Sequence, residues 1–215
     1  QKNGLTGEMH DLYEMYKGTN GWRGGSGDGW ERGPYYARGL ISLAFVLDDA
    51  ELKEKAMEWI DFSLDTQREN GFFGPLADGD GMSGGWDWWP RMIMIEAIRD
   101  YYEYTEYIGA PDERVLPFFE KYFRFQHDRL PDYPVTSWAA ARAGDNAEVV
   151  LWYYNRVCDP ENPEASKWLI EVAQELMKNS HGIFGNYNDW TTIFIDSTVR
   201  NHVVNTTQAM KSPAV

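Results

Sequence analysis

The 215-residue sequence has one cysteine, Cys158, and four histidines. A single thiol excludes an internal disulfide framework and a thiolate metal cluster built from this chain alone. Cys158 has no basic or histidine neighbour, so it reads as an unreactive thiol. His10, His127 and His181 have no histidine or cysteine partner four residues away, and spacing assembles no metal site. No run of about 18 apolar residues occurs, which excludes a membrane-spanning helix. Basic residues are scarce: 20 Lys and Arg stand against 34 Asp and Glu, a formal net charge of −14. A chain this acidic repels nucleic-acid backbones and anionic lipid surfaces. It opens at Gln1 with no signal or transit segment, which reads as a processed or excised piece of an extracellular or periplasmic protein.

Aromatics, by contrast, are abundant, with 10 Trp, 13 Tyr and 10 Phe. A 3.6-residue apolar period dominates. Tyr36, Leu40, Leu43, Ala44 and Leu47 form one stripe, and Leu52, Ala56, Trp59 and Ile60 a second. Further stripes run through Met92 to Tyr102, Val115 to Tyr122, Ala147 to Tyr154 and Leu169 to Leu176, with a shorter helical segment from about 198 to 210. No alternating run competes, so the fold class is all-α. The helices come in pairs joined by short links near 48–49, 109–112 and 159–163. Long, aromatic, Gly-rich connections at roughly 20–34, 71–90, 131–146 and 181–199 separate the pairs. Pro34, Pro90 and Asp145 open successive pairs, 56 and 55 residues apart. A fixed period of that size marks a repeated helical hairpin. Stacked hairpins put the long connections, which hold seven of the tryptophans, at one end. Function concentrates on such loops. Closing a toroid of six such pairs takes roughly 330 residues. Residues 1–215 therefore read as one domain forming the N-terminal part of a larger, incomplete (α/α)6 barrel.

Four motifs lie in the connections. Gly24 to Pro34 superficially suggests a phosphate cradle, but it lacks the Gly-Lys-Ser/Thr ending and carries its own acids. As a sugar subsite, Asp28 and Glu31 accept hydroxyl hydrogen bonds while Trp30 stacks. As a helix entry, the acids favour the helix N-terminus and Arg32 pairs with one of them. Both readings stay open. Trp86-Asp87-Trp88-Trp89-Pro90-Arg91 surrounds a carboxylate with indoles, surroundings that suit a general acid. Helix capping by Asp87 is the alternative. Asp145 with Glu148 reads as a capping box, followed by Asn146. Asn188-Asp189-Trp190 reads as a turn or a further subsite. His202, Asn205 and Gln208 share one helix face, either structural or binding.

In this order, Gly27-Asp28-Gly29-Trp30-Glu31-Arg32-Gly33-Pro34, Asp87-Trp88-Trp89-Pro90-Arg91-Met92, Gly144-Asp145-Asn146 and His202-x-Val-Asn205-x-x-Gln208 resemble the catalytic domain of glycoside hydrolase family 127, the β-L-arabinofuranosidases and their uncharacterised relatives. The resemblance covers essentially the whole chain. It implies an (α/α)6 barrel with a sugar pocket at the long-loop end, and a helix histidine, here His202, facing the sugar. It also implies a cysteine nucleophile in a Cys/Glu zinc cluster with a glutamate acid/base. Those elements lie past Val215 in the family, and Cys158 matches none of them.

The expected function is therefore a glycoside hydrolase, or part of one, acting on polysaccharide side chains such as β-L-arabinofuranosides. A glycosidase places two groups about the scissile bond, commonly carboxylates. Asp87 is the expected acid, with Glu31 and Asp28 as the other candidates. Trp30, Trp86, Trp88, Trp89 and Trp190 are expected sugar platforms. Arg32, Arg91, Asp145, Asn146, His202 and Asn205 are expected to bind hydroxyls. No cofactor is expected within this chain, and its partners are a carbohydrate and the rest of the parent domain. The alternatives are a non-catalytic carbohydrate-binding or helical scaffold module and, third, a sugar isomerase or polysaccharide lyase on the same barrel.

Overall fold

The computed structural model describes residues 1–75 and 87–180, together with Val204, Thr207 and Gln208. The described elements are α-helices joined by turns and short 3-10 segments: α1 Leu5–Leu12, α2 Arg32–Val46, α3 Ala50–Asp65, α4 Trp88–Tyr107, α5 Val115–Arg129, α6 Ser137–Ala141, α7 Ala143–Val157 and α8 Lys167–Lys178. The all-α class holds.

Local chemistry explains the boundaries. Asp49 caps α3, its Oδ1 accepting the Leu52 N–H at 3.0 Å. Asp87 caps α4, its Oδ1 accepting the Trp89 N–H at 3.0 Å. Pro34 and Pro90 each sit third in their helix, inside the turn where a missing N–H is harmless. Gly109 closes α4 with φ at 74°. Helix α3 ends at Asp65, and Gly71 (φ 95°) serves a separate turn beyond it. One expectation fails locally. Asp145 is not a cap: α7 starts at Ala143 with no side-chain cap, and Glu148 pairs with Arg99 at 2.8 Å.

Helices α2, α4 and α7 pack in series, forming one row. Helix α3 packs on α2 and α8 on α7, while α5 packs on α8 and α7. Arg114 ties α5 to Asp61 of α3 at 2.9 Å, and Gln67 donates to the Phe118 carbonyl at 2.9 Å. Helix α4 lies between two neighbours, so residues 88–98 are buried without a break. Within it, Glu96 is held by Arg38 of α2 at 2.6 Å. Helix α1 lies against α2 and was not evident from the periodicity. The first turns of α2, α4 and α7 begin at Arg32, Trp88 and Ala143, keeping the 55-residue period.

Candidate functional site

The long connections deliver side chains to the N-terminal ends of α2, α4 and α7, where two hairpins exchange partners. Trp30, ahead of α2, donates its indole N–H to Asp87 Oδ2 at 2.8 Å. Trp89, in the first turn of α4, donates its indole N–H back to Glu31 Oε2. Glu31 occupies the N-cap position of α2, yet its side chain makes no cap bond, so its carboxylate is presented to Trp89.

The third hairpin closes on this pair. The Arg142 guanidinium carbon lies 3.9 Å from the Trp89 ring centroid and 5.7 Å from that of Trp138, within the range of a cation–π contact. Arg142 Nε donates to Gln208 Oε1, and Gln208 Nε2 donates to Asp145 Oδ2 at 3.1 Å. Tyr35 meets Trp89 edge-on, with centroids 5.8 Å apart. Burial pushes the Tyr35 phenol above its usual range, against the pull of Arg142 and a hydrogen bond with Gln208. Glu31, Tyr35, Trp89, Arg142, Asp145 and Gln208 thus form one cluster, in which Tyr35 is the most exposed member; Trp89, expected as an open platform, and Asp145, expected to bind hydroxyls, are both buried by this packing.

The other expected site residues fall elsewhere. Trp88 is buried, packs against Phe125 and donates its indole N–H to the Tyr133 carbonyl at 3.0 Å. It is a core residue and not an open platform. Arg91 is buried too, donating to the carbonyls of Phe73 at 3.1 Å, Asp87 at 2.8 Å, and Pro75. It binds the chain ahead of α4 and offers no accessible face to a sugar. Asn146 exchanges two hydrogen bonds with Gln126 of α5, at 2.8 and 3.0 Å, inside the core. A buried amide must be paired, and Gln126 meets that requirement. Asp28 pairs with Arg32 at 3.2 Å, both near Tyr16, and neither side chain touches the Trp89 cluster. Asp28 Oδ2 is buried with no hydrogen-bond partner. Trp86, Trp190, His202 and Asn205 lie outside the described residues.

Asp87 combines its two expected roles. It caps α4 and also accepts from Trp30, so both oxygens take N–H donors at a helix N-terminus. Those two bonds hold the carboxylate in a fixed structural position. The phosphate-cradle pattern is spent internally: the N–H groups of Gly24, Gly25 and Gly27 bond to the carbonyls of Gly21, Asn20 and Thr19.

Tyr35, Arg142 and Gln126 belong to the site or its support without standing in the motifs. Tyr35 sits four residues after Glu31 and therefore shares its helix face. Arg142 precedes Asp145 by three. Gln126 carried no local signal, because its partner lies 20 residues away. For the zinc cluster that the resemblance implies, no group of three or more His, Cys, Asp or Glu among the described residues is placed to hold a metal. Cys158 sits in the α7–α8 link, away from this end. Family models, characterised proteins and solved structures yield no match to this chain.

Proposed function

We propose that the cluster at the starts of α2, α4 and α7 is the sugar-handling site of a glycoside hydrolase of the six-hairpin type, on the order of half of an (α/α)6 toroid, acting on polysaccharide side chains. One observation carries this reading: three successive hairpins bring Glu31, Trp89, and Arg142 with Asp145 to the same end, around an indole. Carboxylates and amides beside aromatic rings are the chemistry that sugar hydroxyls and ring faces require. Glu31 replaces Asp87 as the preferred reacting carboxylate, since Asp87 is committed to its cap and to Trp30. Tyr35 and Gln208, the less buried members, bind hydroxyls, and Asp145 and Arg142, both buried, fix their geometry. The family resemblance places the zinc chemistry beyond this chain, and no step here passes through it.

Turnover of aryl glycosides, including β-L-arabinofuranoside, by the chain and its Glu31→Gln and Asp145→Asn variants tests this. Glu31→Gln is expected to lower kcat/KM at least tenfold, and Asp145→Asn to raise KM. Unchanged kinetics in both variants would remove the site. The non-catalytic binding module is the second reading, favoured by the full commitment of Asp87. Calorimetric binding of oligosaccharides without turnover would select it.

A further inference from the structure

Helix α1 docks by its polar side. Its large apolar side chains Leu5 and Leu12 are 80% and 76% exposed, and only Gly7 and His10 are buried. A surface helix ordinarily docks through its apolar stripe. Here the one buried side chain is an imidazole, which meets the buried Trp59 ring edge-on with centroids 6.3 Å apart.

The surroundings of that ring suit its neutral form. Nδ1 lies 2.9 Å from Asp11 Oδ1 on α1 itself, while Nε2 is buried and makes no hydrogen bond. Glu58 Oε2 of α3 is 3.7 Å from Nε2, but that oxygen already takes two N–H groups of Arg23. The Arg23 charge itself opposes a second one on the ring. Lys55 of α3 holds Asp11 at 2.8 Å. Tyr36 of α2 also meets Trp59 edge-on, and burial pushes its phenol up, so it stays neutral. A proton added at Nε2 would be buried without an acceptor of its own, a cost that an exposed ring escapes.

The ties around this anchor are polar. Lys55 donates to the Gly7 carbonyl at 3.1 Å, Arg23 to the His10 carbonyl at 2.9 Å and Tyr36 to the Thr6 carbonyl, and Lys2 pairs with Asp49 at 2.6 Å. Partly exposed bonds and ion pairs of this kind each contribute little. A segment held this way opens well before the core does.

We propose that α1 is an acid-released strap: protonation of His10 frees residues 1–12 from Trp59 while α2 to α8 stay folded. Burial lowers the proton affinity of the imidazole, helped by Arg23, so docking is fully favoured above pH 6.5 and weakens as the pH falls below it.

Amide hydrogen exchange of the full chain at pH 7.5, 6.5 and 5.5 tests this, read as protection factors so that the intrinsic pH dependence of exchange is removed. Protection of Glu8 to Leu12 is expected to fall about fivefold between pH 7.5 and 5.5, while that of Leu40 to Ala44 in α2 holds. The His10 ring, followed by NMR, is expected to titrate with a midpoint below 6.5 as the α1 amides lose protection. In His10→Gln, α1 protection is expected not to vary with pH. Constant α1 protection in the native chain would overturn the strap, as would equal losses in α1 and α2, since opening would then be global. A loss that persists in His10→Gln would overturn it in favour of Asp11 and Glu58. A His10 midpoint at or above 6.5 would overturn it without any variant.

Discussion

Tryptophans 88 and 89 are adjacent in sequence and serve different ends. Both are buried, but the Trp88 indole bonds to a backbone carbonyl while that of Trp89 bonds to a carboxylate. Trp89→Phe keeps a ring beneath Arg142 and removes the donor to Glu31. A hydrogen bond to a charged group is worth about 1.5–3 kcal/mol. Urea unfolding is therefore expected to show a loss of about 2 kcal/mol, and calorimetric titration a weaker affinity for sugar. Trp88→Phe is expected to cost about 1 kcal/mol and to leave sugar affinity unchanged. Equal sugar affinities in both variants would contradict the positioning of Glu31 by Trp89. Sequence alone could not separate the two residues. An indole in a loop is costly to expose, so an acceptor exists in either case, but which acceptor is decided by a chain segment tens of residues away. Asp145 shows the same limit from the other side. Its position in a first helical turn invited a capping assignment, whereas its carboxylate takes the Gln208 amide.

Helices were more legible than the turns between them, because a 3.6-residue stripe repeats its signal and a turn states it once. Stripe members Leu40, Ala44, Leu52 and Ala56 are buried as the period requires, while Leu47, placed on the same stripe, has passed the end of α2 and is exposed. Helix α1 carries little sequence signal because an eight-residue segment gives only about two turns of pattern. Glycines offer a sharp contrast between elements. Gly71 has a positive φ, and a Cβ there would lie 2.1 Å from the Lys121 carbonyl oxygen on α5. Gly39 sits exposed inside α2, with nothing within 4 Å of an added Cβ. Gly71→Ala is expected to destabilise by about 2 kcal/mol or more through backbone strain and the displaced α5 contact. Gly39→Ala is expected to stabilise by about 0.5–1 kcal/mol, since a helix interior favours alanine. Thermal unfolding of the two variants checks both signs.

At the scale of the whole molecule, one histidine is buried among the described residues, and its titration links the N-terminal helix to the rest. His10 of α1 is almost fully buried, with Nδ1 2.9 Å from Asp11 and Nε2 3.7 Å from Glu58. Burial pushes its imidazole below the ordinary value, helped by the Arg23 charge; Asp11 and Glu58 oppose the shift without reversing it. Nearby, Lys55 pairs with Asp11 at 2.8 Å and donates to the Gly7 carbonyl. The unfolded chain therefore binds a proton near pH 6.5 that the folded chain takes up only at lower pH. This contribution is complete above pH 6.5 and is lost as the pH falls below it, at no more than about 1.4 kcal/mol per pH unit. Urea unfolding at pH 7.5, 6.5 and 5.5 is expected to show this decline, and His10→Gln to flatten it. An unchanged slope in the variant would assign the dependence to other groups.

The crossed indoles at the starts of α2 and α4 have a consequence for how the sequence can change as well as for geometry. Trp30 serves an acid of the second hairpin and Trp89 an acid of the first, so neither hairpin holds its own complement. A substitution in either hairpin therefore alters the surroundings of a carboxylate in the other, so the two are constrained to change together.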